Sequence, residues 1–165
     1  MPKVYVETKP NLDIKGGLID GLQLLTRQMA DPSATFVSGE WVKETADGVV
    51  AKLASGSAAA VDTAVRPRII WGGTERHDVK ESGSLTCLRG LVSVLTLKYK
   101  SGESFAIGSK VSLYWDGTNG ILRKTPTAVG TYTVVGTVTS LPTVDGTDYL
   151  GVEVYGDVQE LIIDA

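Results

Sequence analysis

One cysteine, Cys87, and one histidine, His77, are all that this 165-residue chain offers of the two side chains that most often hold metals or act as nucleophile and base. A lone cysteine excludes an intrachain disulfide and leaves no ligand spacing for zinc, so a disulfide-stapled secreted scaffold is not supported. No apolar run approaches the roughly 20 residues that cross a bilayer as a helix. The N-terminal residues MPKVYVETKP also lack the apolar stretch of a secretory signal, so the chain is read as soluble, unprocessed and without a membrane partner. Positive charge runs short in the second half: Ser101 to Ala165 carries 3 basic and 8 acidic side chains, against 13 and 11 from Lys3 to Lys100. After Lys124 there is no basic residue, while Asp145, Asp148, Glu153, Asp157, Glu160 and Asp164 follow. Such a tail repels a phosphate backbone, which needs clustered Lys and Arg, and argues against nucleic acid as a partner.

What the chain does hold is a succession of short β-type segments, densest from Phe105 to Tyr155. Val111, Leu113 and Trp115 alternate with Ser112 and Tyr114, the period of a strand with one buried face. Asp116-Gly117-Thr118-Asn119-Gly120 supplies turn residues, and Ile121-Leu122-Arg123 returns as the second arm of a hairpin. Thr131 to Thr139 is built almost wholly of Thr, Tyr and Val, which favour a pleated sheet, and Gly136 inside it marks a bulge or a close backbone approach. Asp145-Gly146 turns the chain again, and Leu150 to Tyr155 forms the closing strand.

Upstream, Lys3 to Thr8, Thr35 to Val37, Trp41 to Lys43, Val49 to Leu53 and Arg68 to Trp71 read as further strands, with turns at Ser38-Gly39, Asp47-Gly48 and Gly72-Gly73. Leu85 to Tyr99 alternates, with Val92, Val94 and Leu97 opposed to Leu91 and Leu95. Ala54 to Ala64 is expected to loop across the surface, and the polar run Thr74 to Ser84 to lie outside the core. Leu18, Leu22, Leu25 and Met29 fall at helical spacing, yet Gly16, Gly17 and Gly21 each weaken a helix by about 1 kcal/mol. Residues 1–33 are therefore read as an extended N-terminal arm with at most one short helix, and residues 34–165 as a single compact domain. About ten short strands make the fold all-β, an antiparallel sandwich or barrel. Leu12, Ile14, Leu18, Ile19 and Leu22 of the arm are candidate contacts to another subunit, and burial within the same chain is the competing reading.

Catalytic readings find little support. His77 sits in the charged run Glu75-Arg76-His77-Asp78, where its acidic neighbour would point to the opposite strand face. Cys87 lies in a strand-like run and reads as a buried thiol. Asp116, Asp145 and Asp148 would serve a calcium site or a glycosidase pair, but each stands in a turn sequence that favours Asp for backbone hydrogen bonding alone. Trp41, Trp71 and Trp115 would suit either a sugar platform or a core. No cofactor, no metal site and no enzymatic activity is expected.

Five phrases carry a family resemblance: Thr35 to Val42 (TFVSGEWV), Ile70 to Gly73 (IWGG), Ser82 to Thr86 (SGSLT), Phe105 to Val111 (FAIGSKV) and Gly130 to Val138 (GTYTVVGTV). Together they resemble the capsid decoration, or cement, proteins of tailed bacteriophages, over roughly Thr35 to Tyr155. The resemblance implies a small β-rich structural subunit, commonly a homotrimer, made in the host cytoplasm and bound to the major capsid protein on the outside of the expanded virion head. The segment before Thr35 and the acidic end after Gly156 fall outside the family pattern. The basic residues Arg66, Arg68, Arg76, Lys80 and Arg89 would then face acidic surface on the next chain. The alternative is a carbohydrate-binding or host-adhesion domain on the same particle, reading sugars with Trp41, Trp71 or Trp115.

Overall fold

The computed structural model describes residues 12–17, 23–53, 66–74 and 83–164, and every regular element among them is a strand. The all-β class is therefore as the alternation in the sequence implies. Five strands close on themselves: β2 (Gln23–Met29), β3 (Trp41–Ala46), β4 (Val49–Lys52), β5 (Arg66–Gly72) and β6 (Ser84–Arg89). β3 pairs antiparallel with both β4 and β5, β4 pairs parallel with β2, and β6 lies antiparallel between β2 and β5. Closure leaves this small barrel without a free edge, the feature that makes open sheets prone to pairing with other chains.

A second, curled sheet is built from β1 (Leu12–Gly17), β7 (Val92–Thr96), β8 (Lys110–Trp115), β9 (Gly120–Lys124), β10 (Gly130–Ser140) and β11 (Leu150–Ile163), in the order β1-β7-β11-β10-β8-β9. One ladder pair, Trp41 opposite Gly120, joins it to the barrel. The chain leaving β7 returns to the far side of β9, where Lys100 N donates to Leu122 O at 2.7 Å and Leu122 N donates to Lys98 O at 3.0 Å. That return curls the sheet around its own apolar interior.

Strand alternation explains how two cores share one wall. On β3, β5 and β6, Trp41, Ile69 and Leu88 face the large core, while their neighbours Val42, Ile70 and Cys87 face the barrel interior. These strands are apolar on both faces because both faces are covered. The large core is completed by Val92, Val94, Val111, Leu113, Leu122, Leu150 and Val152, all essentially without solvent exposure. Each such side chain contributes about 1.5–3 kcal/mol relative to an exposed position.

The reversals follow their residues. Gly48 (φ 74°) and Gly117 (φ 101°) occupy left-handed backbone in the β3–β4 and β8–β9 turns. Gly136 lies at a bulge, and a Cβ there would stand 2.6 Å from the carbonyl oxygen of Glu153. The ladder shifts from Gly136 opposite Val154 to Val134 opposite Gln159, so β11 accommodates extra residues and runs on to Ile163, well past the expected end at Tyr155. Beyond the bulge, β11 pairs among the described residues with β10 alone, and the two form a ribbon leaving the sheet.

Other expectations are redrawn. Thr35 to Val37 is not a strand: Phe36 N donates to Thr74 Oγ1 at 2.9 Å and Phe36 O accepts from Thr74 N at 2.8 Å, which pins this segment as a loop. On β7 the inward set continues through Thr96, with Leu97 beyond the strand end. Residues 23–29, expected in the N-terminal arm, form a strand of the closed barrel, and Met29 is buried there. β1 lies along β7, with Leu12 only 4% exposed in the large core and Ile14 opposite Val94. Leu18, Ile19 and Leu22 lie outside the described residues, as do Lys3 to Thr8, Ala54 to Ala64 and His77.

Candidate functional site

Two glutamates lie in the barrel, placed by strand period on the interior face of β3 and just before it. Glu44 receives Arg27 Nε at 2.5 Å and Arg68 Nε at 3.2 Å. Burial pulls its carboxyl upward, but the two guanidiniums outweigh that and hold it below the ordinary glutamate value. Glu40, with no accessible surface, receives Lys52 Nζ at 2.9 and 2.7 Å and Val37 N at 3.1 Å. Here burial prevails over Lys52 and the backbone amide, and the carboxyl is pushed above its ordinary value. Val42 stands opposite Lys52 and Glu44 opposite Val50, so the two clusters sit at successive levels of the β3–β4 ladder. Lys52 also reaches Asn119 Oδ1 at 3.2 Å, tying the barrel to the β8–β9 turn. The charge of Arg68 is engaged inside its own barrel, which corrects the expectation that it faces a neighbouring chain. Arg76 and Lys80 lie outside the described residues.

The sequence-derived candidates separate rather than converge. Cys87 is fully buried, and desolvation pushes its thiol up to about 12 despite the nearby positive charge of Arg27 and Arg68. Asp116 Oδ1 accepts from Thr118 N at 2.8 Å and Asn119 N at 2.6 Å, Asp145 Oδ2 accepts from Gly102 N at 2.7 Å, and Asp148 Oδ2 accepts from Val144 N at 3.0 Å. Each holds a turn or loop closed. β8 and β10 run antiparallel with Lys110 beside Thr137, so the turn bearing Asp116 and the loop bearing Asp145 leave opposite ends of the sheet. Trp41 is 3% exposed and Trp71 packs against the large core, leaving Trp115 partly exposed. An open hollow of about 450 Å³ lies beside Glu44, lined also by Thr45, Ala46, Asp47 and Arg66.

Sequence reading missed two surface features, because both depend on which strands become neighbours. The first is apolar. Ile107 (63% exposed), Leu141 and Val144 stand on two loops at one end of the curled sheet, joined by Gly102 N donating to Asp145, while Gly108 N donates to Val138 O of β10 at 2.9 Å. Val129 and Ile162, 64% and 60% exposed, mark the tip of the β10–β11 ribbon, where Gly130 pairs with Ile163.

The second feature is cationic and aromatic. Arg123 lies between two tyrosines, its guanidinium carbon 5.4 Å from the Tyr114 ring centre and 5.7 Å from that of Tyr132, while Lys100 Nζ stands 4.7 Å from the Tyr114 ring centre. Such stacking holds a guanidinium in place and is worth about 0.5–2 kcal/mol per contact. Ser112, opposite Arg123 in the ladder, is fully buried. Ser112 Oγ, Arg123 Nε and Thr125 Oγ1 are buried without a hydrogen-bond partner. Comparison of the chain with protein-family models, with curated proteins and with solved structures returns no match.

Proposed function

We propose that this chain is a structural subunit that binds the outer surface of a tailed-phage head and stabilises the capsid lattice, as the resemblance implies. The observation that carries the reading is the display of large apolar side chains at two sites, Ile107 with Leu141 and Val144 on the paired loops, and Val129 with Ile162 on the ribbon. Apolar groups held in water on fixed loops stabilise an assembly when a partner covers them. The ribbon adds backbone beyond the sheet that can pair with a neighbour. A shell under pressure from its packaged genome fails where capsomers separate. A subunit that touches several capsomers must be pulled off first, and its small contacts reinforce one another because they are linked.

In this reading the partners are the major capsid protein and further copies of the chain in a homotrimer, on the capsid exterior. The test is occupancy on purified expanded heads. Ile107→Asp with Val144→Asp is expected to lower occupancy while the variant keeps its fold, and unchanged occupancy rejects these loops as the contact. The carbohydrate-binding alternative now rests on Trp115, the tryptophan that is partly exposed without being part of the large core. Glycan-array binding that vanishes in Trp115→Ala would favour it.

A further inference from the structure

We infer that the face bearing Lys100, Lys110, Tyr114 and Arg123 docks the acidic β11 side of a second copy of this chain. The inference rests on the assembly reading and names the contact between copies.

The sheet gathers what the sequence scatters. Lys110 and Arg123 are two of the three basic residues after Lys100, and the β8–β9 ladder sets them side by side, with Ser112 opposite Arg123 and Thr125 N bonded to Lys110 O at 3.0 Å. Lys100 joins them through the Tyr114 ring. Lys100 shares Glu103 at 3.3 Å, whereas neither Lys110 nor Arg123 forms an ion pair among the described residues. Arg123 contrasts with Arg27 and Arg68, whose guanidiniums both bind Glu44. It is stacked in a fixed orientation, partly exposed, and its Nε is already withdrawn from water without an acceptor. A rigid guanidinium flanked by tyrosines suits a planar carboxylate, and Arg and Tyr are the residue types that anchor protein interfaces.

The complementary charge lies on the same sheet. Lys110 pairs with Thr137, and Thr137 with Glu153, so one cross-strand row runs from a cation on β8 to an exposed carboxylate on β11 with β10 between them. No basic residue follows Lys124, so Glu153 stands on a strand that carries no positive charge of its own. A chain carrying both poles can satisfy its basic side with the acidic side of the next copy. Repeated head to tail, such a contact closes into a ring when the rotation allows.

The experiment is sedimentation of the full chain across a concentration series at low and high salt, for wild type, Arg123→Glu, Glu153→Lys and the double variant. Lys110→Glu, at an exposed position, serves as a second probe of the basic side. Wild type is expected to associate and to weaken with salt, either single charge reversal at 123 or 153 to weaken association about tenfold or more, and the double variant to recover most of the loss. Circular dichroism and the urea midpoint report whether each variant is folded. A wild type that stays monomeric throughout overturns the proposal, as do full association by Arg123→Glu and Lys110→Glu or a double variant no better than the singles. Retention on heparin that depends on Arg123 while the chain sediments as a monomer also overturns it, since the face then serves a polyanion. Head occupancy measured on the same proteins separates the two readings: association without head binding rejects the capsid role alone, and head binding by a monomer rejects this contact alone.

Discussion

Glu40 and Glu44 stand four positions apart and respond to pH in opposite directions. Glu40 is raised above 4.5 by burial, so the folded chain holds that proton more tightly than the unfolded chain. Its contribution to stability is fully present below the ordinary carboxylate pKa and is lost as pH climbs through the raised value. Glu44 is held below 4.5 by two guanidiniums that outweigh its burial, so its contribution is present above the ordinary value and is lost as pH falls through the lowered one. Compared with wild type, urea midpoints should therefore fall less as pH rises above the ordinary glutamate value in Glu40→Gln, and fall less as pH drops below it in Glu44→Gln. At neutral pH Glu44→Gln should also cost about 3 kcal/mol, because it leaves two partly buried guanidiniums without a counter-charge. A Glu44→Gln midpoint equal to wild type would contradict the ion cluster as described. Cys87, fully buried with its thiol pushed up to about 12, should react with a thiol reagent only as fast as the barrel opens, and a burst of labelling in native buffer would contradict its placement.

Among the elements, the β10–β11 ribbon depends on one backbone approach. Gly136→Ala places a methyl 2.6 Å from the Glu153 carbonyl and 2.7 Å from Val152 Cγ1, and should lower stability by about 1–3 kcal/mol in urea unfolding. Gly108→Ala meets no atom within 4 Å and should lose less, through its positive φ of 83° alone. Equal losses at the two positions would show that crowding at the bulge is not what the glycine relieves. Elements of this kind were legible in the sequence where alternation is bounded by turn residues: β8, β9 and the turn between them, and Gly136 as a bulge, follow from alternation and turn chemistry. Legibility failed where helical and strand spacing coincide or where loops imitate strands. β2 carries Leu24, Leu25 and Met29 around polar residues in a closed barrel, a pattern that helical spacing matches equally well. Thr35 to Val37 has strand composition but is fixed by Thr74, 38 residues from Phe36. The tyrosine-flanked Arg123 was invisible for the same reason, since Lys100, Tyr114 and Tyr132 meet it only through the ladder.

At the scale of the molecule, two cores share the wall of β3, β5 and β6, and the seam to the curled sheet is narrow: one ladder pair at Trp41 and Gly120, supported by Lys52 reaching Asn119. The buried wall explains why the barrel and the sheet hold together, while the loops and the ribbon remain outside it with their apolar side chains in water. On this account the inside is committed to folding and the outside to assembly. The direct test of the proposed role mixes the purified chain with expanded tailed-phage heads that lack a decoration protein, and follows sedimentation together with the temperature at which the heads break open. Saturable co-sedimentation and a higher breaking temperature are the predicted result. A chain that stays in the supernatant, or binds without changing that temperature, would contradict a role in reinforcing the shell.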